Sequence, residues 1–202
     1  MLQLKTLPIK TMQIFGPLVV FTLALIALIF DAQISDSLIY NRHLITDGEY
    51  WRIISGHLFH SNANHFILNV AAVVLLWALH GQYYNHKNYL IIFLTSAIVC
   101  SLGIYWFSID IELYVGLSGV LHGFFVWGAL IDIKHKEKTG YLLLIGVMAK
   151  IVHEQIYGAS ADVEILIGAS VATDAHLYGA IGGLLAFVLC YINPNKMSEI
   201  RL

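Results

Sequence analysis

Long uncharged runs, broken by short clusters of charge and turn residues, divide the chain into about 13–30, 63–80, 89–107, 116–133, 139–157 and 167–192. Each run approaches or exceeds the ~20 apolar residues that carry a helix across hydrocarbon. The pattern predicts an all-α polytopic membrane protein, a six-helix bundle in one membrane domain over residues 1–202. The connection at 31–62 is too long for a turn. It scatters apolar residues such as Leu38, Ile39, Tyr40, Ile53 and Ile54 among charges, as an external folded or interfacial element does, with Tyr50 and Trp51 at headgroup level. Lys5 and Lys10 ahead of the first run resemble a signal peptide, but the run is long for a signal core and leads into Asp31-Ala32-Gln33 rather than a small-x-small cleavage site. It is expected to remain as the first span, and Asn193-Pro194 to close the last.

Composition agrees, with 58% hydrophobic and 12% charged residues against about a quarter charged in soluble domains. A net charge of -2 offers nothing to nucleic acid, and none is expected as a partner. Cys100 and Cys190 both fall in apolar runs and read as small buried hydrophobes. Lys and Arg set the orientation. With the amino terminus cytoplasmic, the inside collects Lys5, Lys10, Lys87, Lys134, Lys136, Lys138, Lys196 and Arg201, and the outside only Arg42 and Arg52. Both termini are then cytoplasmic.

Candidate chemistry lies inside the fourth and sixth runs. Gly116-Leu117-Ser118-Gly119 puts a serine between glycines, and Ala175-His176-Leu177-Tyr178-Gly179 puts a histidine at a matching place. Alone, Gly-x-Ser-Gly is a packing motif. Depth changes that reading: at ~1.5 Å per helical residue, Ser118 lies ~24 Å above Lys134, His176 ~26 Å above Asn193 and His65 ~24 Å above Gly81. All three occupy one layer near the outer surface of a core ~30 Å thick. On the sixth run His176, Gly179 and Gly183 share a face, and on the fourth Ser118 and His122 share one flanked by Gly119 and Gly123. Small residues permit close helix approach, so Ser118 is expected to reach His176. An imidazole that takes the serine proton and returns it to a leaving amine makes the hydroxyl a nucleophile. The Ser118 N–H, His65 and Asn69 are candidate oxyanion donors.

These motifs resemble the rhomboid family of intramembrane serine proteases over the whole chain. Gly116-Leu117-Ser118-Gly119 resembles the family's nucleophile motif, and Ala175-His176-x-x-Gly179-x-x-x-Gly183 its histidine motif. His60-x-x-x-x-His65-x-x-x-Asn69 is similar to the second-span oxyanion motif, and Trp51-Arg52 to the Trp-Arg pair of the first external loop. The resemblance implies a rhomboid-like bundle, a Ser118–His176 dyad, no cofactor and no metal. It also implies a membrane-anchored protein substrate and a site toward the external face of a bacterial cytoplasmic membrane. Where the family commonly has a tyrosine four residues after the serine, this chain has His122. That replacement, with Lys150-x-x-x-Glu154, is similar to the rhombosortase branch, implicated in processing bacterial proteins whose carboxy-terminal sorting tail has a Gly-Gly motif, an apolar span and basic residues.

Several residues carry competing readings. Lys150 and Glu154 are an i,i+4 pair, either neutralising each other inside the protein or lining the side by which substrate arrives. His122 either packs on His176 or hydrogen-bonds the fifth span. His60 is expected to be structural, and His43, His57, His80, His86 and His135 to sit at surfaces or interfaces. Asp174, two residues before His176, points to another face, and Arg52 with Glu49 reads as a loop staple. His153-Glu154-x-x-Tyr157 lacks the second histidine of a zinc protease helix. A metal site of His65, His122 and His176 has no ligand geometry defined by sequence. A solute or proton pathway lacks an interrupted-span repeat, and the remaining alternative is an inactive rhomboid-like protein that binds membrane clients.

Overall fold

The computed structural model describes residues 7–191. Its long helices are α1 (Thr11–Ile29), α5 (Ala63–His80), α6 (His86–Phe107), α7 (Ser118–Lys134), α8 (Thr139–Tyr157) and α10 (Thr173–Tyr191). Shorter elements are α2 (Asp31–Leu38), α3 (Arg42–Thr46), α4 (Arg52–Ser55), α9 (Ala161–Ile167) and the strands β1 (Tyr40–Asn41) and β2 (Leu113–Tyr114). Helices α1, α5, α6 and α10 are long and apolar enough to cross a bilayer, and α8 with α9 qualifies as a pair bent by 91°. Outward-facing Leu18, Ile67, Leu75, Leu90, Leu142 and Leu189 are exposed. Lipid tails solvate such a surface where water would not. The chain is an all-α polytopic integral membrane protein.

Long helices match five of the six apolar runs to within a few residues; the sixth run divides. Residues 161–167 form α9, ended by Gly168 in the left-handed region at φ 64, and α10 starts only at Thr173. The stretch from Ile165 to Thr173 is uncharged, so the sequence reads as continuous there. However, the Val171 N–H turns back to donate to Glu164 Oε1 at 3.0 Å, which breaks the helix. Asn193-Pro194, Lys5, Lys196 and Arg201 lie outside the described residues.

Helix α7 occupies the middle of the bundle, with Val120, Trp127, Ala129 and Ile131 fully buried. Its contact with α10 is made by glycines. A methyl group on Gly179 would collide with the Gly119 carbonyl, and one on Gly183 with the Gly123 carbonyl. The backbones therefore touch where any side chain would hold them apart.

The segment at 31–62 is folded, as its mixed pattern predicts. β1 pairs antiparallel with β2 through Tyr40↔Tyr114 and Asn41↔Leu113, tying it to the residues just before α7. Arg52 is buried and donates to Glu49 Oε2 at 2.7 Å, the Ile39 carbonyl at 2.8 Å and the Asp36 carbonyl at 2.9 Å. Trp51 is exposed, and its Nε1–H donates to the Ser37 carbonyl. Arg42 caps the end of α6, donating to the carbonyls of Ile104, Tyr105 and Ser108.

Two histidines expected at surfaces or interfaces are buried. His57, in a 3-10 turn at Gly56–Leu58, is 0% exposed and wedged against α6, with Nε2 3.1 Å from the Ala97 carbonyl. His80 is 1% exposed, with Nε2 3.3 Å from Asp132 Oδ2 on α7. Both sit near charged or turn-rich sequence that reads as boundary. Their burial comes from helix packing that local composition does not record.

Candidate active site

Helix α7 begins at Ser118, so the Ser118 N–H is among the first four of the helix, which have no intrahelical acceptor. The turn before it passes through Gly116 at φ 129, where a Cβ would meet the His65 ring at 2.9 Å. Gly116 thus lets the backbone pass close under His65. Its carbonyl accepts from the Tyr114 hydroxyl at 2.9 Å and lies 3.4 Å from His57 Nδ1. Sequence reasoning misses Tyr114 and His57 as supports of this turn, because neither belongs to a recognisable spacing.

Glycine packing of α10 on α7 brings Ser118 Oγ to 3.0 Å from His176 Nε2. His176 is buried and Ser118 half-buried. The His176 ring stacks on His122, with centroids 4.0 Å apart and planes 18° from parallel. His122 Nδ1 lies 2.8 Å from the Ser118 carbonyl. A carbonyl only accepts, so Nδ1 carries the His122 proton. Of the two sequence readings of His122, packing on His176 is the one the geometry supports.

Ser118 and His176 open onto a cavity of about 610 Å³ between α5 and α8, within the range of small-molecule and peptide sites. His65 and Asn69 line its α5 side, and Lys150 its α8 side. Asn69 is 5% exposed and its Nδ2 has no hydrogen-bond partner. A buried amide donor facing a cavity is ready for an incoming acceptor. His65 Nδ1 faces the Ser61 backbone N–H at 3.4 Å and hydroxyl at 3.0 Å. A backbone N–H only donates, so Nδ1 accepts and the proton sits on Nε2, on the side of the ring that faces Gly116. His60, expected to be structural, packs edge-on against His65 and Phe66, with both nitrogens unpartnered. Burial, reinforced by His65, pushes its pKa down to about 3.

Lys150 and Glu154 do pair, but only Lys150 belongs to the cavity wall. The Glu154 carboxylate instead backs the ring of His176, with Oε2 2.8 Å from Nδ1. The reading of Glu154 as substrate-side is therefore corrected. A signal exists in the sequence: Glu154 lies 15 residues beyond Thr139, ~22 Å up its helix, in the layer of His176. Asp174 does lie elsewhere, accepting from Ser108 Oγ.

His122, Glu154 and His176 bring three ligand-type atoms within 4.8 Å of one another. In-plane nitrogen lone pairs of two nearly parallel stacked rings do not converge on one point, and His176 Nδ1 and Glu154 already engage each other. The cluster is organised for hydrogen bonding.

Fold and site together define an integral membrane protein with a hydrogen-bonded serine–histidine pair at the end of the helix bundle where α7 and α10 begin. The Rhomboid domain description matches residues 47–193, and the chain belongs to the rhomboid family. It is also 25% identical over 191 residues, 86% of this chain and 88% of the relative, to a Bacillus subtilis (strain 168) protein described as "Putative rhomboid protease YdcA".

Proposed function

We propose that the protein is an intramembrane serine endopeptidase. The observation that carries this reading is the 3.0 Å contact between Ser118 Oγ and His176 Nε2 at the wall of a cavity. Ser118 Oγ attacks a peptide carbonyl while His176 Nε2 takes its proton. The tetrahedral oxygen is held by the Ser118 N–H, Asn69 Nδ2 and His65 Nε2–H. His176 then protonates the leaving amine, and water releases the acyl-enzyme.

The substrate is the transmembrane segment or carboxy-terminal sorting tail of a membrane-anchored protein. An apolar cleft between α5 and α8 supports this, because a lipid-embedded chain can reach the serine sideways between those helices. The rhombosortase-like His122 favours tails of the Gly-Gly, apolar-span, basic type. The distribution of Lys and Arg supports cytoplasmic termini and a site toward the external face, and the likeness to bacterial rhomboids supports a bacterial cytoplasmic membrane location.

A fluorophosphonate probe tests the activity. Labelling of wild type that is lost in Ser118→Ala and His176→Ala is the expected result. A folded wild type that neither labels nor cleaves a transmembrane substrate would instead favour an inactive client-binding protein.

A further inference from the structure

Resting on the protease reading, we infer that Glu154 is the positioning carboxylate of His176, making the site a Ser118–His176–Glu154 array rather than a two-residue one. A neutral imidazole has one ring proton and must carry it on the nitrogen away from the serine to act as a base. A carboxylate only accepts, so the 2.8 Å contact of Glu154 Oε2 with His176 Nδ1 places that proton on Nδ1. Nε2, 3.0 Å from Ser118 Oγ, is left as the acceptor.

The carboxylate is itself held in place. Its second oxygen, Oε1, accepts from the Lys150 ammonium one helical turn earlier, which leaves Oε2 for the imidazole. The Glu154 side chain is 11% exposed and that of Lys150 50%. The lysine thus joins a shielded carboxylate to the cavity side and offsets the cost of burying it. One face of His176 is covered by His122, 4.0 Å away. Ring rotation is blocked by the stack and ring translation by the carboxylate.

The proton balance closes without any further group. As the Ser118 Oγ–carbon bond forms, the Oγ proton moves to Nε2, and His176 becomes an imidazolium whose Nδ1 proton stays in place. Glu154 remains a carboxylate and faces that positive charge. When the carbon–nitrogen bond breaks, the Nε2 proton leaves with the amine.

The neighbouring acid Asp174 turns to Ser108 Oγ, from which its Oδ2 accepts, and not to the His176 ring. It therefore serves as a control.

The experiment compares wild type with Glu154→Gln, Glu154→Asp and Asp174→Asn, each checked for folding by its thermal midpoint in detergent. Cleavage of several transmembrane substrates and the rate of fluorophosphonate labelling are measured. Glu154→Gln should lower kcat by roughly 10²- to 10⁴-fold, the range that general acid–base catalysis contributes, with KM unchanged and an equal factor on every substrate. Glu154→Asp should recover part of that loss, and Asp174→Asn should keep wild-type kcat. A Glu154→Gln enzyme with wild-type kcat, or one whose loss appears in KM for some substrates only, overturns the inference. If Glu154→Gln does not fold, Glu154→Asp decides: kcat unchanged by retracting the carboxylate by one methylene also overturns it. Loss of labelling in Ser118→Ala alongside an unaffected Glu154→Gln would sink the array and leave the protease standing. Labelling that survives Ser118→Ala removes both.

Discussion

His122 and His176 stack face to face at 4.0 Å, one turn of α7 pressed against the histidine that α10 presents to Ser118. Aromatic pairs of this kind contribute about 0.5–1.5 kcal/mol beyond burial. If that holds His176 in its productive rotamer, His122→Ala should lower kcat by about 3- to 10-fold. His122→Tyr, which restores the ring the family commonly has there, should lose less. Single-turnover cleavage by the two variants checks the order, and equal activity of His122→Ala and wild type would show the stack to be incidental.

Asn69 offers a cleaner separation of chemistry from folding. Its Nδ2 has no partner in the resting protein, so removing it sacrifices no hydrogen bond from that donor. Asn69→Ala is expected to lower kcat by roughly 10²- to 10³-fold, as loss of an oxyanion donor does, with a thermal midpoint close to wild type. Kinetics and a melt on the same preparation measure both quantities.

The glycine seam between α7 and α10 should be intolerant of volume. Gly179→Val and Gly183→Val force backbones apart at the Gly119 and Gly123 carbonyls. Overpacking of this kind costs about 1–3 kcal/mol or more, and here it also lengthens the Ser118–His176 contact. Midpoint and fluorophosphonate labelling should fall together. A Gly183→Val protein that melts and labels like wild type would contradict so close a backbone approach.

Acid should destabilise the protein through its buried histidines. Burial holds His57 down to about 4, and burial with His65 holds His60 down to about 3. The unfolded chain takes up those protons near 6.5 while the folded chain does not. Stability is therefore greatest above about pH 6.5 and declines as pH falls toward 4, by up to about 1.36 kcal/mol per pH unit for each histidine. Detergent melts between about pH 8 and about pH 5 measure the slope. His60→Phe removes one of the two groups and should flatten that slope.

Much of the site is legible in the sequence because the bilayer imposes a ruler. Residue counts alone put Ser118, His176 and His65 in one layer, and Ser118 does meet His176. The same counts place Glu154 at that depth without indicating its direction. Lys150 four residues earlier supplies a sufficient partner, so nothing in the spacing requires a second one. The end of α9 escapes a sequence reading for a related reason: no charge interrupts the chain between Glu164 and Asp174, and the break at Gly168 goes with Val171 folding back to Glu164.

Sequence by itself determined the membrane class, five of the six long helical runs, the family motifs and the level that Ser118 and His176 share. Each depends on local composition and a constant rise per residue. Only the tertiary structure decided that Glu154 faces His176 while Lys150 faces the cavity, that His122 stacks instead of bonding α8, and that His57 and His80 are interior. Those outcomes depend on how helices rotate about their own axes when packed. That rotation is set by shape complementarity among distant residues, such as the glycines of α7 and α10, and no single run of sequence contains it.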